Sequence, residues 1–341
     1  MLDFSPWLDL PFIWGLIIAA AVFLYTILDG FDLGCGIIFP FAPSEKCRDR
    51  IMNSMIPFWD GNETWLVLGG GGLFAAFPVA YAVLMSAMYL PVIFMLLGLI
   101  FRGVAFEFRF KAHNPYQRKI WDVSFHGGSL LAAFMQGVIL GNFVQGIEVV
   151  DRQFAGGPLD WANGFSIITG LSLVFGYALL GATWLIMKTS DITQKWARSV
   201  ASYVLIYVGL AMAVVSISMP FVDPRITNLW FSLPNFFYLL PIPLLTALGF
   251  LILWKDLNNT KCETRPFFVT IILFALGFLG LSISLYPWIV PFEFTIWEAA
   301  AVSTSQSLLL IGTVIFLPII LGYTCYSYYV FRGKSSHDPM Y

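Results

Sequence analysis

The chain has 341 residues, of which 59% are hydrophobic and 11% charged, with a mean hydropathy of +0.80 and a formal net charge of −2. A soluble domain is about 45–50% apolar and about 25% charged, so this balance excludes an ordinary globular domain and indicates a membrane protein of many spans. The small net negative charge gives no electrostatic basis for a nucleic-acid partner.

The opening residues, MLDFSPWLDLPFIWG, lack a basic n-region and a small-residue cleavage site, so the first span is expected to act as its own insertion signal. A bilayer crossing needs about 20 apolar residues. Nine stretches qualify: 11–33, 51–76, 79–106, 119–146, 161–187, 194–220, 236–254, 266–289 and 303–331. The second and third meet at a tight turn around Phe77 and Pro78. The connections are short, the longest being 34–50, and no repeat or low-complexity linker interrupts them. Residues 1–341 therefore read as a single integral membrane domain of all-α polytopic class, and any chemistry must occur within the membrane or at its face.

Basic residues set the orientation. Lys46, Arg48 and Arg50 follow the first span, and Arg109, Lys111, Arg118 and Lys119 follow the third. Lys188, Lys195 and Arg198 follow the fifth, Lys255, Lys261 and Arg265 the seventh, and Arg332 and Lys334 the ninth. Fifteen of the 18 Lys and Arg thus fall on one side, while the other side has Arg152 and Arg225 among Asp151, Asp160, Asp223, Glu293 and Glu298. The alternation predicts an outer N-terminus and a cytoplasmic C-terminus.

Several charged residues fall inside the spans, where each costs about 2.5–3.5 kcal/mol on insertion scales. Asp60 is ten positions past Arg50, and Arg102 is seven before Arg109. On continuous helices these offsets correspond to depths of about 15 and about 10 Å from the cytoplasmic edge. The second and third spans are antiparallel neighbours, so Asp60 and Arg102 are expected to pair. Asp29 and Asp32 close the first span, Asp122 and His126 open the fourth, and Glu63 lies one turn beyond Asp60. All but Glu63 lie in the cytoplasmic half, an asymmetry that fits proton uptake from that side toward a buried site. Asp32, Glu107 and Asp122 are placed where side chains can snorkel to the interface.

Gly69 to Gly72 leave a bare patch on the second span, suited to close approach by a helix or to a passage for a gas or cofactor. Gly137 and Gly141 form a GxxxG pair in the fourth. Trp59 and Trp65 lie too deep for an interfacial belt, whereas Trp7, Trp161, Trp230 and Trp297 fall near outer ends. His113 and His337 lie in cytoplasmic segments, leaving His126 as the one histidine in a span. Haem iron in membrane oxidoreductases is usually held by His, sometimes with Met, so in a haem enzyme most or all of the iron would belong to another chain. Cys35, Cys47, Cys262 and Cys325 form no CxxC pair, and no metal or disulfide framework is expected.

The segments LDGFDLGCG (28–36), FWDGNETWL (58–66), FRGVAFEFR (101–109), GATWLIMKT (181–189) and LPIILGYTCYSYYVF (317–331) resemble subunit II of the cytochrome bd-type quinol oxidases in order and spacing, over nearly the whole chain. The resemblance implies two four-helix bundles plus one peripheral helix, in a bacterial inner membrane. It implies a larger subunit I that holds all haems, two of type b and one of type d. It also implies quinol and oxygen as substrates, reduction of oxygen to water and a contribution to the proton-motive force. A quinone within this chain and a small single-helix subunit are compatible with it. By the same resemblance Asp60, Arg102 and Asp29 belong to a cytoplasmic proton path, joined here by Glu63, and Trp65 lies near an oxygen route. Glu63 can be Gln in such relatives, which argues that its charge is dispensable, and His126 stands where they can carry an apolar residue. The short connection 221–235 resembles the compact, cyanide-insensitive branch.

Two other readings stand beside this one. A secondary transporter could use Asp60, Glu63 and Arg102 as a midplane site, with Pro241 and Pro243 breaking the seventh span. A non-catalytic assembly subunit could use the buried charges only to seal an interface.

Overall fold

A computed structural model describes residues 9–335; Trp7 and His337 lie outside the described residues. Twelve α-helices follow one another: α1 Leu10–Ile38, α2 Glu45–Asn53, α3 Trp59–Ala76, α4 Pro78–Arg109, α5 Pro115–Gln145, α6 Gly164–Lys188, α7 Asp191–Ser218, α8 Pro224–Phe231, α9 Asn235–Leu239, α10 Pro241–Leu257, α11 Arg265–Leu285 and α12 Ser303–Val330. The helix starts are chemically marked. Prolines occupy the first turns of α1, α4, α5, α8, α10 and α11, where a missing N–H costs nothing. Asn114 and Asn163 cap α5 and α6 by accepting from Gln117 N and Ser166 N at 2.8 and 2.9 Å. Two short antiparallel hairpins, Val149–Val150 with Gln153–Phe154 and Trp288–Val290 with Phe294–Thr295, follow α5 and α11.

Eight of these stretches are long and apolar enough to cross a membrane, with α9 and α10 counted together. The chain is thus an all-α polytopic membrane protein. The expected second span, 51–76, is not one helix. It divides into α2 and α3, with turns over 54–58. Pro57 lies in that break, where it lacks a backbone donor and disfavours helical geometry at Ile56. The remaining α3 has 18 residues, about 27 Å at 1.5 Å per residue, and carries Asp60, Asn62 and Glu63 in its first turns. The seventh stretch is also interrupted, at Leu240 before Pro241. In α4 the backbone leaves helical geometry at Met88, one turn before Pro91, whose ring removes a helical hydrogen bond.

Helix α1 packs along α3, α5 and α6; α4 packs along α5, and α6 along α7 and α11. Helix α10 lies against α11 and α7, while α12 touches α3 and α1 and is otherwise largely uncovered. The main core is aromatic where α1, α6, α11 and α12 meet: Phe31 stacks on Trp184 at 4.1 Å and meets Phe267 and Tyr328 edge-on. Glycines permit the closest crossings. A Cβ on Gly98 would stand 2.7 Å from the Gly128 carbonyl, and one on Gly128 would stand 2.8 Å from Arg102 N. The GxxxG pair acts likewise between α5 and α6, since Cβ atoms on Gly137 and Gly141 would lie 2.6 Å from Gly170 Cα and Ser166 Cα.

Candidate functional site

Arg102, on α4, is fully buried, and its position follows from the glycine contact between α4 and α5 one turn earlier. Its Nη2 donates to Asp29 Oδ1 of α1 at 2.6 Å and to Glu63 Oε1 of α3 at 2.5 Å. The Asp29 side chain is completely buried, whereas that of Glu63 is 29% exposed. One guanidinium thus ties three helices together, and Glu63 is the member that reaches the surface. Such a pair gains little over apolar packing, but removing one partner strands the others and costs about 3–5 kcal/mol.

Asp32, one turn beyond Asp29 on the same face of α1, extends the cluster. Asn62 Nδ2 donates to Asp32 Oδ2 at 2.7 Å and to the Leu28 carbonyl at 3.1 Å, while Asn62 Oδ1 accepts from Tyr328 OH at 2.9 Å. This link holds α12 to the site. A second arm runs inward from Tyr25, a turn before Asp29: Tyr177 OH donates to Gln136 Oε1, and Gln136 Nε2 donates to Tyr25 OH, both at 2.7 Å. Arg102 Nε and Nη1 and Asp32 Oδ1 are buried without a hydrogen-bond partner among the described residues. Buried polar atoms of this kind ordinarily bind water.

The expected pairing of Asp60 with Arg102 is not what forms. Asp60 is exposed on the outer face of α3 and makes no ion pair among the described residues; Asp29 and Glu63 hold Arg102 instead. The depth argument assumed an unbroken helix from Arg50, and the turns at 54–58 remove that premise. Glu63 is accordingly the charged partner of the arginine; a Gln there would keep an acceptor but not the charge. Asp32, expected to snorkel, is fully buried. Asp122 is half-buried and accepts from Arg109 Nε at 2.5 Å, and Glu107 pairs with Lys111 at 3.1 Å. Trp65 is 2% exposed in an apolar cluster with Ala21 and Tyr25, its Nε1 without a partner among the described residues. Gly69 and Gly72 face Val22 and Ile18 of α1, whereas Gly70 and Gly71 meet nothing within 4 Å.

A second charged cluster, not foreseen as a unit, lies at the end of α4. The side chain of Arg109 is fully buried and bonds Glu45 at 2.9 Å, Asp49 at 2.6 Å and Asp122 at 2.5 Å; Arg118 also pairs with Glu45 and Asp49. The alternation of Glu45, Arg48 and Asp49 along the amphipathic α2 was the available signal. His126 Nδ1 lies 3.1 Å from the Gly36 carbonyl, and its ring meets Phe41 edge-on. No group of three or more His, Cys, Asp or Glu suited to a metal ion occurs among the described residues.

The fold and this cluster define a polytopic membrane protein with a buried carboxylate–arginine–carboxylate bridge at one end of its helices. Residues 10–331 match the family model described as cytochrome bd terminal oxidase subunit II, and the chain belongs to that family. It is 29% identical to the cytochrome bd ubiquinol oxidase subunit 2 of Bacillus subtilis, covering 96% of this chain and 98% of the relative. It is 27% identical to the cytochrome bd-I ubiquinol oxidase subunit 2 of Escherichia coli K12, covering 100% and 98%. Its fold is similar to that of a chain in the bd oxidase of Geobacillus thermodenitrificans, with a TM-score of 0.75 at 18% identity, over 94% of this chain and 98% of that one. The transporter reading finds no support in these relationships.

Proposed function

We propose that this chain is the subunit II of a quinol oxidase that reduces oxygen to water, and that it carries protons toward haems b and d held by subunit I. The observation that supports this most is the Arg102 bridge, which joins fully buried Asp29 to part-exposed Glu63, one turn from exposed Asp60. Asp29, Asp32 and Glu63 outnumber the single guanidinium, so charge balance in a poorly solvated site gives the cluster capacity to hold a proton. Waters on the unpartnered atoms of Arg102 and Asp32 would connect it to the basic-rich end. From Glu63 the proton passes to Asp60, whose exposed face we assign to the contact with subunit I. Thr64, Val67, Gly71 and Phe74 continue that exposed stripe, and glycine lets a partner helix approach closely.

The same reading makes α3 a ninth span, groups α1, α3, α4 and α5 as one bundle and α6, α7, α10 and α11 as another, and leaves α12 peripheral. The basic-rich end then faces the cytoplasm and the N-terminus the outside. Trp65 borders the oxygen route. A quinone site in this chain, a small third subunit and membership of the cyanide-insensitive branch remain part of the proposal.

The test is Asp60→Asn in the assembled oxidase. Quinol oxidase turnover should fall at least tenfold with the haem absorption spectrum intact. Unchanged turnover with intact haems would refute the role.

A further inference from the structure

We infer that a groove between the end of α1 and the start of α5 binds the phosphate headgroup of an anionic phospholipid. The groove has a volume of about 620 Å³ and two unlike walls. Pro40 and Val123 line it on the apolar side, and Arg48, Arg118, Lys119 and His126 on the polar side.

The charge balance makes the polar wall cationic. Glu45 and Asp122 also line the groove, but Arg109 holds both from behind, together with Asp49. Arg48 and Arg118 supply the second contacts to these three carboxylates. Three arginines thus neutralise three carboxylates. Lys119 is left over, exposed and without an ion pair among the described residues. Arg48 Nε is buried with no hydrogen-bond partner among the described residues. His126 donates from Nδ1 to the Gly36 carbonyl, which fixes its ring at the rim of the groove. The first turn of α5, capped by Asn114, adds the positive end of the helix dipole.

The apolar surroundings identify the anion as a lipid. Phe41, Ile120 and Val123 beside the groove are 70%, 45% and 63% exposed. A soluble phosphate would leave them in water, whereas acyl chains below a bound headgroup would cover them. Basic pockets at helix ends near the membrane surface bind anionic headgroups in this way, each Lys or Arg strengthening binding about fivefold.

The test uses the assembled oxidase in nanodiscs of phosphatidylcholine with phosphatidylglycerol as a minor component, followed by native mass spectrometry of the retained lipid. The wild type should retain phosphatidylglycerol selectively. Lys119→Gln should weaken retention about fivefold and Lys119→Glu about twenty-five-fold, with Lys119→Arg like the wild type. Helical content and the haem spectrum should not change in any variant, since Lys119 supports no internal contact. Millimolar glycerol phosphate should not displace the lipid. Absence of selective retention, equal retention in Lys119→Glu, or displacement by glycerol phosphate would each overturn the inference, the last by making this a site for soluble phosphate.

Discussion

Replacing Arg102 with Gln tests how the buried site is held together. The guanidinium is fully buried and meets Asp29 and Glu63 at 2.6 and 2.5 Å. Glutamine removes the charge and leaves a completely buried Asp29 opposite an uncharged amide, so the loss should be about 3–5 kcal/mol. Asp29→Asn alone should cost a similar amount, because it strands Arg102. In the double variant the second substitution no longer strands a charge, so a favourable coupling of about 1–3 kcal/mol should appear. The same cycle with Glu63→Gln should give less, since the Glu63 side chain is 29% exposed and its interaction is screened. The cycle with Asp60→Asn should give no coupling beyond about 0.5 kcal/mol, the additivity expected of non-contacting groups. The assay is denaturant-induced unfolding of the assembled oxidase in mixed micelles, followed by helical circular dichroism. Strong coupling of Arg102 to Asp60, or none to Asp29, would refute the geometry.

Three further outcomes follow from particular contacts. Asn62→Leu should leave Asp32 and Tyr328 without their shared partner, at about 1–3 kcal/mol, and should make α12 more susceptible to limited proteolysis than the rest of the chain. Gly128→Ala should force α4 from α5, since the new Cβ would meet the Gly98 carbonyl and lie 2.8 Å from Arg102 N. A cost of about 1–3 kcal/mol should accompany reduced turnover, whereas Gly70→Ala, in the interior of α3 with nothing within 4 Å, should cost nothing and raise the stability by up to about 1 kcal/mol. The hydrogen bond from Arg225 holds the Asp223 carboxyl below the usual carboxylate range. Its stabilisation should be complete above the unfolded value of about 3.9 and should vanish as the pH falls through the lower folded value. Asp223→Asn, which can still cap α8, should weaken the protein at neutral pH and match the wild type in strong acid, read by thermal unfolding across pH.

The long apolar helices were legible because each carries a long apolar run, most of them opened by a proline or an asparagine cap and three of them, α4, α6 and α10, closed by a basic residue. Asp29, Glu63 and Arg102 were legible as site members for the same reason, since charge within an apolar run is conspicuous. Their pairing was not legible. It depends on where α3 begins, and the Pro57 break replaced a mid-helix aspartate with one in a first turn. Rotation then decides the rest. Asn62 and Glu63 face α1 and α4, whereas Asp60 faces outward, a difference of two or three residues that only the packing of α1 on α3 determines. The glycine run shows the same limit: Gly69 and Gly72 seat α1, while Gly70 and Gly71 face out, so one motif serves two surfaces. The Asn62–Tyr328 link joins residues 266 positions apart, beyond the reach of any local pattern.

Proton uptake during a single turnover measures the central claim most directly. The fully reduced oxidase, reconstituted in vesicles with a pH-sensitive dye on the basic-rich side, is mixed with oxygen, and haem oxidation is followed in parallel. In Asp60→Asn, which leaves the Arg102 bridge to Asp29 and Glu63 in place but removes the ionisable group that takes the proton onward, proton uptake should slow at least tenfold with the haem spectrum intact. Uptake at the wild-type rate in that variant would contradict the account.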